Sequence, residues 1–280
     1  MMKDEKVPVI NAWMDYHLHS SFSCDSQTTM EEMCRAAISG GLSEIGFTEH
    51  FDLIPQDPCF AQFKAAAWWK KLLQCRQMFE DRLTIKAGIE IGEPHRFPEE
   101  VDTLMGEFTW DFILGSLHWV DDQLIFNMEY YSQAPEDAYR RYFRELLVMV
   151  QDGRCDILAH VDIIKRYGFD FYGPFEPEVY EPEIRAVLRA CADSGIALEI
   201  NTSTLRRPVG QTSPDKRIVT WYLEEGGRYI TLGSDAHHPG TVAYGLDGIM
   251  RWLPELGVEY LASFTARQAQ LIDLQDGRRT

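Results

Sequence analysis

A closed parallel α/β barrel of seven strands is the fold this sequence predicts, and three observations predict it. Seven short apolar runs alternate with helix-like stretches along 280 residues, a pattern that calls for right-handed crossovers and a parallel sheet. Six of the seven runs end in a histidine or a carboxylate, and the remaining one, sixth in chain order, ends in Asn201. In a closed barrel the strand C-termini converge on one mouth, whereas an open sheet would spread them along an edge. Convergence of so many polar ends favours closure.

The first strand leads in through Val9-Ile10-Asn11-Ala12-Trp13-Met14 and ends in Asp15-Tyr16-His17-Leu18-His19-Ser20. Alternate strand residues share a face, so His17 and His19 point the same way and can share one divalent ion. A helix is predicted over Thr28–Ala37, with Thr28 and Glu31 as a capping box and Gly40-Gly41 as its stop. Glu44–Thr48 is the second strand and ends at Glu49-His50. A helix over Phe63–Phe79 turns Trp68, Leu72, Leu73 and Phe79 to the core. Leu83–Glu90 and Phe112–His118 are the third and fourth strands. Pro135 starts a helix that runs to Val150, and Asp156–His160 is the fifth strand. Lys165–Tyr180, rich in aromatics and prolines, reads as a loop, with Lys165 at the surface. A helix over Pro182–Asp193 precedes the sixth strand, Ala197–Asn201. A helix from near Pro214 to Gly226-Gly227 precedes the seventh, Tyr229–Asp235, which continues into Ala236-His237. The tail predicts a helix over Val242–Leu253, an apolar stretch at Val258–Leu261 and a final helix. No repeat, linker or low-complexity segment interrupts the pattern, so residues 1–280 read as one domain.

Composition narrows the function. A net charge of −17 repels nucleic-acid backbones and anionic membranes, which need clustered Lys and Arg. Any phosphorylated substrate must then be attracted locally, as metal ions would do. No apolar run approaches the length of a membrane span, and Met1–Trp13 lacks a signal-peptide core, so a cytoplasmic protein is expected. The six cysteines (Cys24, Cys34, Cys59, Cys75, Cys155, Cys191) are scattered and are expected as reduced thiols, Cys24 in a packing role.

The strand ends supply His17, His19, Asp25, His50, Glu90, His118, His160, Asp235 and His237. Six of the eight histidines are in this set; His95 and His238 lie outside it. Polar side chains at strand ends need partners, and imidazoles mixed with carboxylates suit Zn, Mn or Fe. No Walker loop, serine elbow or His-Glu-x-x-His signature competes.

His-Leu-His, Thr-Glu-His, Gly-Ile-Glu, Ser-Leu-His, Leu-Ala-His and Gly-Ser-Asp-Ala-His, in this order, resemble the PHP (polymerase and histidinol-phosphatase) superfamily over the whole chain. The resemblance implies a distorted (β/α)7 TIM-like barrel with its active site and up to three metal ions at the C-terminal mouth. It implies metal ligation by all nine residues, with Glu90 bridging two ions. Glu49 stands where the family commonly has Asp, outside the ligand set. Three divalent ions, three carboxylates and a bridging hydroxide leave about +2, which suits a phosphomonoester dianion. The hydroxide would attack phosphorus in line with the leaving alkoxide, and a third ion or His237 would stabilise or protonate that alkoxide. Glu90, Asp235 and His237 are thus the expected catalytic residues.

The segments after His160 and after Glu199 look like the stand-alone histidinol-phosphatase branch. Arg166, Arg206 and Arg207 on them are expected to grip phosphate. Phe51, Asp52, Glu93 and Trp119 are candidates to meet the imidazole and ammonium. The expected activity is hydrolysis of L-histidinol phosphate in histidine biosynthesis, with two or three divalent ions. The alternatives are a sugar or nucleotide phosphate as substrate, or a non-catalytic metal-binding module. Exonuclease-like action is disfavoured by the charge and the lack of a basic groove. Neither nucleic acid nor membrane is an expected partner, and the oligomeric state is left open.

Overall fold

The computed structural model describes residues 13–274. Seven strands form the parallel barrel: β1 (Met14–Leu18), β2 (Glu44–Phe47), β3 (Thr84–Gly92), β4 (Phe112–Ser116), β5 (Ile157–Leu158), β6 (Ala197–Asn201) and β7 (Ile230–Gly233). Each pairs with its neighbours in chain order. Closure between β7 and β1 comes just past β7, where the His19 amide donates to the Ala236 carbonyl at 2.9 Å and the Ala236 amide to that of His17 at 3.3 Å. The barrel is therefore nearly closed, as strand-end convergence predicts. The expected lead-in residues Val9–Ala12 lie outside the described residues.

Glycines let the interior pack. The Phe112 ring stacks on Tyr16, centroids 4.8 Å apart. A Cβ at Gly46 or Gly88 would stand 2.5 Å from that ring, so β2 and β3 can flank it only without side chains there.

Among the described residues, eight α-helices cover the barrel: α1 (Met30–Ser39), α2 (Ala65–Phe79), α3 (Pro98–Glu107), α4 (Pro135–Asp152), α5 (Ile164–Tyr172), α6 (Glu181–Ser194), α7 (Lys216–Glu224) and α8 (Leu246–Trp252). None of them is long and apolar enough to cross a membrane. The capping box of α1 is Thr29 with Glu32, one residue beyond the expected Thr28 and Glu31. Leu73 on α2 is exposed, because Trp68, Leu72, Cys75 and Phe79 fill its buried face. α3 was not foreseen.

Three expectations are overturned. Lys165–Tyr180 is not a loop throughout: it contains most of α5, and Lys165 is fully buried, its ammonium donating to Asp162 at 2.6 Å and to the Thr212 carbonyl at 2.7 Å. Among the described residues the last element is not a helix but an antiparallel hairpin, β8 (Tyr260–Thr265) and β9 (Gln268–Asp273). Ala266 and Arg267 both take positive φ, the geometry of a two-residue hairpin turn. Cys24 and Cys59 are joined as a disulfide, their Cα atoms 5.3 Å apart, while Cys34, Cys75, Cys155 and Cys191 are free and buried.

Candidate metal centre

All nine strand-end candidates meet at the barrel mouth. Pairing sets the first of them: His50 lies directly opposite Glu90 in a two-residue extension of the sheet, and β4 flanks Glu90 on the other side. Glu90 is buried at the centre. Its Oε2 stands 3.1 Å from His17 Nε2, 3.2 Å from His50 Nδ1 and 3.5 Å from His19 Nε2. Its Oε1 stands 3.1 Å from His160 Nε2 and 3.7 Å from His118 Nε2. The two oxygens thus face different imidazoles. Asp235 Oδ1 lies 3.6 Å from His19 Nε2 and 3.9 Å from His17 Nε2. Asp25 reaches His237 Nε2 at 2.8 Å and His50 Nε2 at 3.5 Å.

The donor set fits divalent ions. Ligand atoms of His17, Glu90 and His160 cluster, as do those of His17, His19 and Asp235, and those of His19, Asp25, His50 and His237; within each group they lie within 4.8 Å of one another. A fourth cluster is His50, Asp52 and His118. Ligands about 2.1 Å from one ion stand roughly 3–3.5 Å apart, close to several of these separations. His19 Nε2 and His50 Nδ1 are buried without a hydrogen-bond partner among the described residues, a costly state unless something else binds them.

Charge balance in the metal-free protein is carried by protons. Burial opposes charge on His17, but Glu199, Glu90 and Asp235 outweigh it and hold the imidazole well above its ordinary value. Burial likewise opposes charge on Glu90, but His17 and His50 hold its carboxyl well below the usual range. His19 moves the other way: burial and its neighbours His237 and His50 lower it, so it is a neutral ligand.

Reading strand ends alone misses Glu199 and Asp15 behind the site, and Glu93, expected as a substrate contact, belongs with them. Glu199 on β6 places Oε1 2.7 Å from His17 Nδ1, and its Oε2 accepts the His160 amide at 2.8 Å. Glu93 accepts the amides of His118 and Trp119, and burial pushes its carboxyl up to about 7. Asp15 accepts the Ser234 amide at 2.8 Å. Two-residue periodicity carried the signal for Glu199, which shares the Asn201 face.

A cleft of about 380 Å³ opens over the cluster, and Arg166, Arg206 and Arg207 all line it, with His238 and Thr241. Phe126 and Tyr167 form one wall, ring centroids 4.8 Å apart. Phe51, Asp52, Glu93 and Trp119 do not line it. Asp52 and Glu93 lie behind His118, facing its ring and its backbone, and the Trp119 indole donates to Asp57 at 2.7 Å.

A family model described as PHP domain matches residues 15–203. The chain belongs to the PHP domain family. Within this PHP protein, Arg206, Asp235 and His237 lie past the matched span. The histidinol-phosphatase of Lactococcus lactis subsp. lactis is 32% identical over 80% of this chain and 84% of its own length. A probable histidinol-phosphatase of Deinococcus radiodurans is 29% identical over 87% and 93%. The crystal structure of the Lactococcus lactis histidinol phosphate phosphatase, complexed with zinc, L-histidinol and phosphate, matches with a TM-score of 0.85 and 29% identity. That match covers 91% of this chain and 98% of the other.

Proposed function

We propose that this chain is a metal-dependent phosphomonoesterase that hydrolyses L-histidinol phosphate to L-histidinol and phosphate in histidine biosynthesis. The observation that carries the reading is the position of Glu90, whose two oxygens face separate imidazole groups at the foot of a cleft lined by arginines. The likeness to a phosphatase complexed with zinc, L-histidinol and phosphate supports the substrate. In this reading His17, His19, Asp25, His50, Glu90, His118, His160, Asp235 and His237 hold two or three ions of Zn, Mn or Fe, with Glu90 shared. When bound, the ions supply Lewis acidity that lowers the pKa of water and draws charge from the phosphoryl oxygens.

The chain's own residues do the rest. Arg166 lines the cleft with its guanidinium over Tyr167, and in this reading it donates to a phosphate oxygen. Arg207, exposed at the rim, adds positive charge where the net charge of −17 would otherwise repel an anion. Phe126 and Tyr167 give the imidazole an apolar wall. In this reading the departing alkoxide is stabilised or protonated by a third ion or by His237, which is partly exposed and paired with Asp25. Residues 1–280 act as one catalytic unit, and the biosynthetic role goes with a cytoplasmic location.

The test is phosphate release from L-histidinol phosphate by protein reconstituted with Mn, Zn or Fe, beside sugar, nucleotide and aryl phosphates. Strong preference for histidinol phosphate, lost on chelation, is the expected result. Even, weak activity across the panel would remove the histidine assignment. Bound metal with no turnover on any phosphoester would leave a non-catalytic module.

A further inference from the structure

Asp235 has a φ of 51°, a left-handed backbone that a non-glycine residue keeps only when its surroundings hold it there. It is held from two sides. On one, buried Asp15 accepts the Ser234 amide at 2.8 Å, the Ser234 hydroxyl, and the Ala243 amide at 3.0 Å. On the other, Arg206 donates Nη1 to the Ser234 carbonyl at 2.9 Å and Nη2 to the Asp235 carbonyl at 3.0 Å. Its guanidinium also lies over the Tyr244 ring, 5.5 Å from the centroid. Arg166 lines the same cleft with its guanidinium over Tyr167, with no hydrogen bond or ion pair from it among the described residues. One arginine is committed to backbone and the other is open to a ligand.

We propose that Arg206 is a positioning residue that aims the Asp235 carboxylate into the metal site, rather than chiefly a phosphate ligand. Gripping two successive carbonyls fixes the peptide planes on either side of the Asp235 Cα. That sets the direction in which the carboxylate leaves the backbone, towards His19 Nε2 at 3.6 Å and His17 Nε2 at 3.9 Å. A planar fork can hold two carbonyls at once, whereas a lysine ammonium is a single point charge. The inference rests on reading Asp235 as a metal ligand and is independent of which phosphoester is the substrate.

Arg206→Ala, Arg206→Lys and Arg166→Ala would each be titrated with Mn in the absence of substrate and then assayed with saturating and limiting metal. Arg206→Ala is expected to lose about 10–100-fold in affinity for one ion and in kcat at limiting metal. Excess Mn should restore part of that loss, with KM changed less than about threefold. Arg206→Lys should retain more affinity than alanine, and Arg166→Ala should keep its metal while KM rises. Wild-type metal affinity in Arg206→Ala with a raised KM would overturn the proposal, since that is how a phosphate ligand behaves. Should circular dichroism show Arg206→Ala unfolded, Arg206→Gln carries the same comparison, and full metal affinity there overturns the proposal equally. Metal titration needs no substrate, so failure of histidinol phosphate to react is separable from failure of this inference.

Discussion

Glu199 reaches the centre only through two histidines, one by its ring and one by its backbone. A carboxylate on Nδ1 fixes the tautomer of His17, presents Nε2 to an ion and raises its basicity. Glutamine keeps the shape and removes the charge. Glu199→Gln is therefore expected to lose about 10–100-fold in metal affinity, with its far-ultraviolet circular dichroism unchanged. Metal titration checks this; wild-type affinity would mean that packing alone orients His17. At this scale the ligand types were legible, because His-x-His and the recurrent strand endings need no tertiary information. Glu199, in Glu199-Ile200-Asn201, is not legible as a partner of His17, because a buried acid in a strand is indistinguishable from a surface one until its partner is known.

The hairpin β8–β9 closes the end of the barrel opposite the cleft. Tyr16 donates to Ser263 at 2.9 Å and Lys86 to Thr265 at 3.0 Å, and the Phe264 ring packs 6.1 Å from Phe112. Phe264 is buried, so Phe264→Ala is expected to cost about 3–5 kcal/mol in urea unfolding. Because the hairpin is remote from the mouth, kcat/KM at a permissive temperature should be unchanged. A loss of activity without a loss of stability would contradict that separation. The hairpin was not legible because its turn is Ala266-Arg267, not the Asn-Gly or Asp-Gly that marks such turns. α5 was missed for a related reason: its aromatics obscured the helical spacing of Ile164, Lys165 and Gly168, which are its buried face.

Across the molecule, the centre links metal, protons and stability. Without metal, His17 and His50 hold protons well above their ordinary value because Glu90 and the other nearby carboxylates outweigh burial. A raised histidine stabilises the fold fully below about pH 6.5 and loses that contribution as pH climbs through the folded value. Burial raises Asp15 to about 6 and Glu93 to about 7, so their contribution is lost earlier, between the ordinary carboxyl range and those values. Glu90, held low, contributes above the ordinary carboxyl range and loses that contribution only in acid. The chelated protein should therefore lose thermal stability as pH rises above about 6.5. The metal-loaded protein should not, because the charge of an ion does not titrate. Thermal midpoints of both forms across that range check this; parallel curves would show that the histidines carry no protons.

The sequence by itself determined the barrel and its chemical inventory, since strand and helix periods and the residue at each strand end are local properties of the chain. It could not determine which long-range partner each side chain finds. Lys165 was expected at the surface and is buried against Asp162 and Thr212; Cys24 was expected free and is bonded to Cys59. Arg166 and Arg206 were indistinguishable, yet one lies over Tyr167 along the cleft and the other is spent on the backbone beside Asp235. Each of these depends on groups brought together only when the barrel closes, and periodicity carries no record of which groups meet there.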